Sequence, residues 1–209
     1  MLGVFVLENR NLHVHVRPTA SRLRSPHDRR KRITALRRRG VKLHWTDLLD
    51  ECGRACATGV LDALAHAIRC QNPTAAVATL DSALNKKLIA EADLARVFAA
   101  LPARFQVLAS FVDARAESGP ETFVRLMARR LGCDIQLQVK FAETGRVDLV
   151  LDGWLVVEWT ASRSTKTGPR SCATTVATWR SPPSATRPCA CPHRTSCTAP
   201  TMSSRLSGA

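Results

Sequence analysis

Apolar positions along this chain keep three rhythms in succession, and each predicts a different backbone. Leu12-His-Val-His-Val16 and Val41-Lys-Leu-His-Trp45 alternate apolar and polar residues, the two-residue period of a strand with one covered face. From about residue 47 the period lengthens to three or four. Thr46 or Asp47 can cap a first turn carrying Leu48 and Leu49, which Cys52-Gly53 breaks. Val60, Leu61, Leu64, Ala67 and Ile68 then form one apolar stripe. Val77, Leu80 and Leu84 form a second behind Asn72-Pro73, where the asparagine can cap and the proline can open the first turn. Residues 91–101 and 104–115 repeat the helical pattern. Ser118-Gly-Pro-Glu121 begins a further helix, with Ser118 as cap and Glu121 at the capping-box position. Phe123, Leu126, Met127 and Leu131 give that helix an apolar face, and Gly132 ends it.

The strand period then returns in Ile135-Gln-Leu-Gln-Val-Lys-Phe141. Gly145 to Glu158 is a pair of apolar runs around Asp152-Gly153, which reads as a hairpin of two buried strands. Each run carries one carboxylate, Asp148 and Glu158, and an unpaired carboxylate in a buried strand is costly. A two-residue loop pairs Leu151 with Trp154 and sends Glu158 to the opposite face. A three-residue loop pairs Leu151 with Leu155 and sets Asp148 opposite Glu158 on one face. In the second case the two carboxylates would repel unless a divalent cation lay between them. The plain alternative leaves both at strand ends in water. The whole predicts an α/β chain of the α+β kind. A strand-rich basic segment (1–46) and an α-helical region (47–116) precede a helix laid across a mixed sheet (117–159), and a tail (160–209) follows.

Charge narrows the partner. The chain carries +14, but residues from Thr160 onward hold seven Lys or Arg and no Asp or Glu, so residues 1–159 carry 24 − 17 = +7. That balance favours a polyanion, and DNA in particular, over an acidic substrate. Arg22, Arg24, Arg29, Arg30, Lys31, Arg32, Arg37, Arg38 and Arg39 crowd one segment around a Ser25-Pro26-His27-Asp28 turn. They suit phosphate contacts that give affinity without sequence choice, or else form a solvated basic loop. No run of eighteen apolar residues and no signal-peptide pattern occurs, so the expectation is a cytoplasmic protein with no membrane partner and reduced thiols. His13 and His15 share a strand face and read as two imidazoles on the wet side of an edge strand, since a metal site would need more ligands. Cys52 and Cys56 read as small packing residues, and His66 as a structural histidine at a stripe edge.

Residues 160–209 break every pattern. They hold nineteen Ser or Thr, six Pro and four Cys, with only Val176 and Leu206 among Val, Ile and Leu. Such a composition predicts a disordered tail that buries no core. Cys189, Cys191, His193 and Cys197 mimic a zinc knuckle, but no zinc is expected there.

The helix with Glu121, the run Arg146-Val-Asp-Leu-Val150 and the hairpin to Leu155-Val-Val-Glu158 together resemble the PD-(D/E)XK nuclease core. More narrowly, residues 4–158 resemble actinobacterial proteins with domain of unknown function 559, relatives of very-short-patch-repair endonucleases. Leu61-Asp-Ala-Leu64 and Leu80-Asp-Ser-Ala-Leu-Asn85 are similar to the segment that precedes the nuclease in those proteins. The resemblance implies metal-dependent DNA cleavage, with Glu121, Asp148 and Glu158 catalytic, Asp148 and Glu158 as ligands of Mg²⁺ or Mn²⁺, and Glu121 as an auxiliary carboxylate. Some relatives begin with an abortive-infection-type antitoxin winged helix, which suggests a truncated start here and, as an alternative function, a non-enzymatic DNA-binding, antitoxin-like regulator. After Glu158 the family pattern stops, and Thr160 falls at its third active-site position. A one-base frame shift at about Trp159 accounts for the break. The first base of each present codon would be the middle base of the restored one, and Trp179, Ser181, Ser184, Cys189 and Cys191, read from codons beginning with T, would all become apolar. The expectation is therefore an endonuclease-like protein that binds DNA and whose cleavage is impaired.

Overall fold

The computed structural model of the protein describes residues 3–8, 10–25, 28–34, 40–50, 57–141 and 145–158. The expected tail, Cys52, Cys56 and Arg37 to Arg39 lie outside the described residues. Strand β1 (Leu12–Val16) is followed by β2 (Arg24–Ser25), β3 (Asp28–Arg32) and β4 (Val41–Trp45). Helices α1 (Val60–Cys70), α2 (Pro73–Asn85) and α3 (Glu91–Ala99) come next, then a 3₁₀ helix over Ala103–Phe111. The last elements are α4 (Gly119–Arg130), β5 (Ile135–Phe141), β6 (Gly145–Leu151) and β7 (Leu155–Val157). The fold is α+β, and among the described residues no helix is long and apolar enough to cross a membrane.

Local chemistry explains most boundaries. The Asn72 side chain accepts from the Ala75 N–H at 2.8 Å, which caps α2 behind Pro73. Ser118 caps α4 and Glu121 reaches back to it, a capping-box arrangement. Residues 46–50 form no helical turn. Their backbone is held instead by buried Asp62 of α1, which accepts from the N–H groups of Leu49 at 2.8 Å and Asp50 at 3.3 Å. The helix expected over 104–115 is a 3₁₀ helix ending at Phe111. Its apolar residues Phe105, Leu108 and Phe111 fall every third position, and three residues per turn align them toward the core.

The helical core gathers Leu61, Leu64, Ile68, Val77, Leu80, Val97, Phe98, Leu108 and Leu126. A smaller core joins Ala128 to Leu137, Leu149 and Leu151, with Val124, Leu155 and Val157 packed against it. Helix α4 therefore contributes to both, Leu126 toward the helices and Ala128 with Val124 toward the sheet. A polar junction reinforces the first contact. Asp81 of α2 accepts from Thr122 Oγ1 and from Arg125 Nη2, each at 2.7 Å, and from the Asp113 N–H at 2.8 Å. The side chains of Asp81, Thr122 and Arg125 are all buried.

The sheet β5-β6-β7 is antiparallel throughout, where a mixed sheet was expected. The parallel pair lies elsewhere, between β1 and β4, with Leu12 beside Val41 and Val16 beside Trp45. The segment before β1 crosses the start of α4. The Phe5 N–H donates to Ser82 Oγ at 3.0 Å, and its ring meets Phe123 edge-on with centroids 6.2 Å apart. A Cβ on Gly119 would lie 2.4 Å from ring carbons of Phe5. Gly119→Ala should therefore cost about 1–3 kcal/mol by forcing a ring packed against Phe123 on a tethered backbone to move. Urea melts of the two proteins test this; a loss below about 0.5 kcal/mol would mean the ring gives way freely.

Candidate functional site

The hairpin register decides whether the carboxylates meet. Leu151 pairs with Leu155 and Leu149 with Val157, so Asp152, Gly153 and Trp154 form a three-residue loop. Asp152 and Gly153 both take left-handed backbone, φ 50° and 70°, and the Trp154 N–H closes the turn on the Leu151 carbonyl at 3.1 Å. One rung past the last pair, this register sets Asp148 opposite Glu158. Asp152 also ties the hairpin to β5, because its carboxylate accepts from the Asp134 N–H at 2.8 Å.

Glu121 lies over the same end of the sheet. A cavity of about 10 Å³ is lined by Glu121, Val124, Asp148, Leu149 and Val157, which is room for about one water molecule. Glu121 is buried, and its carboxylate accepts from Ser118 Oγ at 2.6 Å, from the Glu117 N–H at 3.0 Å and from Gln138 Nε2 at 3.3 Å. Burial pushes its pKa up, the Ser118 and Glu117 hydrogen bonds hold it down, and the negative charges of Asp148 and Glu117 push it up again. Asp148 is half-buried, whereas Glu158 is exposed.

Two further features mark this end of the sheet. The β5–β6 ladder is interrupted at Gln138, which sits between the Leu137–Leu149 and Val139–Val147 pairs and has φ 53°. A left-handed non-glycine residue is strained, by about 1–2 kcal/mol. The buried Oε1 of the same Gln138 has no hydrogen-bond partner. Arg146 of β6 pairs with Glu117 just before α4 at 2.6 Å, which fixes strand and helix start together. Glu121 thus doubles as a helix cap, and the three carboxylates do not close to within ligand distance of one another as a set.

The arginine-rich segment folds in part as the β2–β3 hairpin. Arg24 pairs with Arg32, and Arg24 Nη1 donates to the Arg30 carbonyl at 3.4 Å. Asp28 caps the turn by accepting from the Arg30 N–H at 2.9 Å and from Lys31 Nζ at 3.3 Å. Arg22, Arg24, Arg29, Arg30, Lys31 and Arg32 are all exposed, and among the described residues of the hairpin Asp28 is the one carboxylate.

A second cluster was missed by sequence reasoning. The parallel register sets His15 beside His44 and His13 beside Lys42, so all four side chains share one face. That face is only partly wet: His13 and Lys42 are exposed, His15 is half-buried and His44 is buried. His66 and Cys70 of α1 meet it: His44 and His66 rings stack with centroids 3.9 Å apart, and Cys70 Sγ lies 3.9 Å from His44 Nε2. His13 Nδ1 and His44 Nε2 are hydrogen-bonded at 2.9 Å, and His15 Nε2 donates to the Thr46 carbonyl at 2.7 Å. Burial, joined by the neighbouring imidazoles and by Lys42 and Arg69, depresses His44 to about 4. Burial, then His15, Arg69 and His13, depress His66 to about 4.

A concavity of about 720 Å³ lies between α3 and the 3₁₀ helix and shares no lining residue with either cluster. Among its charged residues, Asp113 and Arg115 are bonded to each other at 2.8 and 3.0 Å, and Glu91 lies at the start of α3. No protein-family model, curated protein or solved structure matches this chain.

Proposed function

We propose that this chain is an endonuclease-like DNA-binding protein that takes a divalent cation beside Asp148 and cleaves DNA weakly or not at all. The observation that carries the reading is the three-residue hairpin, whose register aligns Asp148 with Glu158 while Glu121 lines the same small cavity. The unpartnered Oε1 of Gln138 fits it, since hard cations are bound by carboxylate and carbonyl oxygens together. When bound, Mg²⁺ or Mn²⁺ would activate water and stabilise a phosphoryl oxygen. The chain's own residues supply the rest: Ser118 and Gln138 orient Glu121, Arg146 and Glu117 hold β6 against α4, and the β2–β3 hairpin offers phosphate contacts. Impaired cleavage rests on Thr160, which stands where the resemblance expects a third active-site residue.

Titrating Mn²⁺ into the full chain and into Asp148→Ala tests the site. Binding should saturate in the wild type and weaken by at least about tenfold, roughly 1.4 kcal/mol, in the variant. Equal binding by both proteins would remove the cation from the reading. DNA affinity that falls with salt and persists unchanged in Asp148→Ala without any metal would favour the non-enzymatic, antitoxin-like regulator acting through the exposed arginines.

A further inference from the structure

We propose that His13, His44 and Cys70 form a second metal site, suited to Zn²⁺ and independent of the carboxylates. The three come from β1, β4 and α1, and their ligand atoms all lie within 4.8 Å of one another, the one such group among the described residues. Tetrahedral zinc with Zn–N of about 2.05 Å and Zn–S of about 2.3 Å sets N···N edges near 3.3 Å and N···S edges near 3.6 Å. The protein shows 2.9 Å between His13 Nδ1 and His44 Nε2, and 3.9 Å between His44 Nε2 and Cys70 Sγ. Both edges are within about half an ångström of the zinc values. The third pair, a His13 ring nitrogen and Cys70 Sγ, lies within 4.8 Å and must close on the ion by rotation of the exposed His13 ring.

The surroundings favour ligation over simple packing. Two imidazoles and a thiol are a nitrogen–sulfur donor set, which selects zinc-like ions over Mg²⁺. In the His13 Nδ1–His44 Nε2 hydrogen bond one ring nitrogen carries the proton. For both to ligate, that proton moves to the other nitrogen of its own ring, as a neutral imidazole allows. His44 is buried and its ring is clamped against His66, whose Nε2 is itself 3.3 Å from Thr46 Oγ1. Such outer contacts fix ring orientation. His13 is exposed, which leaves a path for the ion and a fourth position for water. Lys42 and Arg69 oppose a bare cation here, as their effect on His44 shows. The Cys70 thiolate must therefore supply the compensating charge. Binding converts Cys70 S–H to a Zn–S bond and releases one proton to solvent.

The test uses the full chain, with Zn²⁺ titrated against a chromophoric competitor and Co²⁺ as the spectroscopic probe. The tail also holds cysteines, so a Cys189→Ser/Cys191→Ser/Cys197→Ser variant separates the two sources. The expected result is one equivalent of Zn²⁺, one proton released, and a thiolate-to-cobalt charge-transfer band, all retained in the tail variant. Cys70→Ser should lose the band, and His13→Ala, at an exposed strand position that leaves the fold intact, should bind at least about 100-fold more weakly. Absence of Zn²⁺ binding by the wild type, loss of it in the tail variant, or unchanged affinity in both His13→Ala and Cys70→Ser would overturn the site. None of these outcomes depends on Asp148, so Mn²⁺ binding and Zn²⁺ binding fail or succeed separately.

Discussion

Asp81→Ala should destabilise the protein by about 3–5 kcal/mol, the largest single effect expected of any substitution outside the apolar core. Asp81 is 1% exposed and Arg125 5%. The carboxylate accepts three hydrogen bonds, from Thr122, Arg125 and the Asp113 backbone, and so joins α2, α4 and the segment between them. Removing it leaves a buried guanidinium with only the Phe111 carbonyl at 2.8 Å, beside an Nε that already lacks a partner. It also orphans the Asp113 N–H. Against a total stability of about 5–15 kcal/mol, this loss of about 3–5 kcal/mol is between about a fifth and all of it. Guanidinium melts read it directly. The double variant Asp81→Ala/Arg125→Met should recover part of the loss, because the stranded charge is what costs most. A single-variant loss under about 1 kcal/mol, or a double variant no better than the single, would mean that water reaches this junction.

Local signals were legible in the sequence wherever one turn of chain contains all the parts. Asn72-Pro73 and Ser118 to Glu121 announced two helix starts that the structure builds as expected. The hairpin was legible up to a choice of two registers. That choice rests on whether Asp152 joins Gly153 in left-handed backbone, which a side chain capable of bonding Asp134 makes affordable. What failed was long-range. His13 and His15 were correctly set on one face, but that face was taken as wholly wet because β4, its parallel partner, begins 25 residues after β1 ends, and the turn signal between them, at residues 25–28, belongs to another hairpin. His44 and Cys70 were therefore missed, and ligands 31 and 26 residues apart carry no recognisable spacing. Asp81 had a weak signal. Ten of the thirteen residues of α2 are buried, so an Asp among its alanines and leucines implied a cation elsewhere in the chain.

The candidate carboxylate site and the histidine cluster also differ in how strongly the fold commits to them. Glu121 serves the start of α4 whether or not a cation binds, so its presence is fully explained by capping. Neither Asp148 nor Gln138 caps a helix: one is a charged residue in an apolar strand, the other a strained residue with a buried open acceptor. The informative substitutions at that end of the sheet are therefore Asp148 and Gln138, because Glu121→Ala would conflate loss of a cap with loss of a site.

Acid should destabilise the metal-free protein between pH 6.5 and 4, and the histidine stack sets the sign. His44 and His66 have folded pKa values near 4 against an ordinary 6.5, because burial and neighbouring cations disfavour the charged rings. A histidine depressed in the fold binds its proton more readily when unfolded. Stability is therefore full above pH 6.5, falls as pH drops toward 4, and changes no further below that. Counted independently, two such shifts amount to roughly 7 kcal/mol. Each ring's charge is part of what depresses the stack, and solvent reaches it at His13, so about 3 kcal/mol is the reasonable expectation. Asp81 and Glu121 act in the opposite sense. Burial raises both, so their protonation on acidification favours the fold and masks part of the histidine effect. The decisive comparison is with His66→Gln, which removes one titrating ring while leaving both carboxylates in place. Urea melts at pH 7.5 and 4.5 in the presence of chelator should show the wild type losing about 3 kcal/mol and the variant clearly less. Equal losses in the two proteins would shift the acid sensitivity from the stack to some other group.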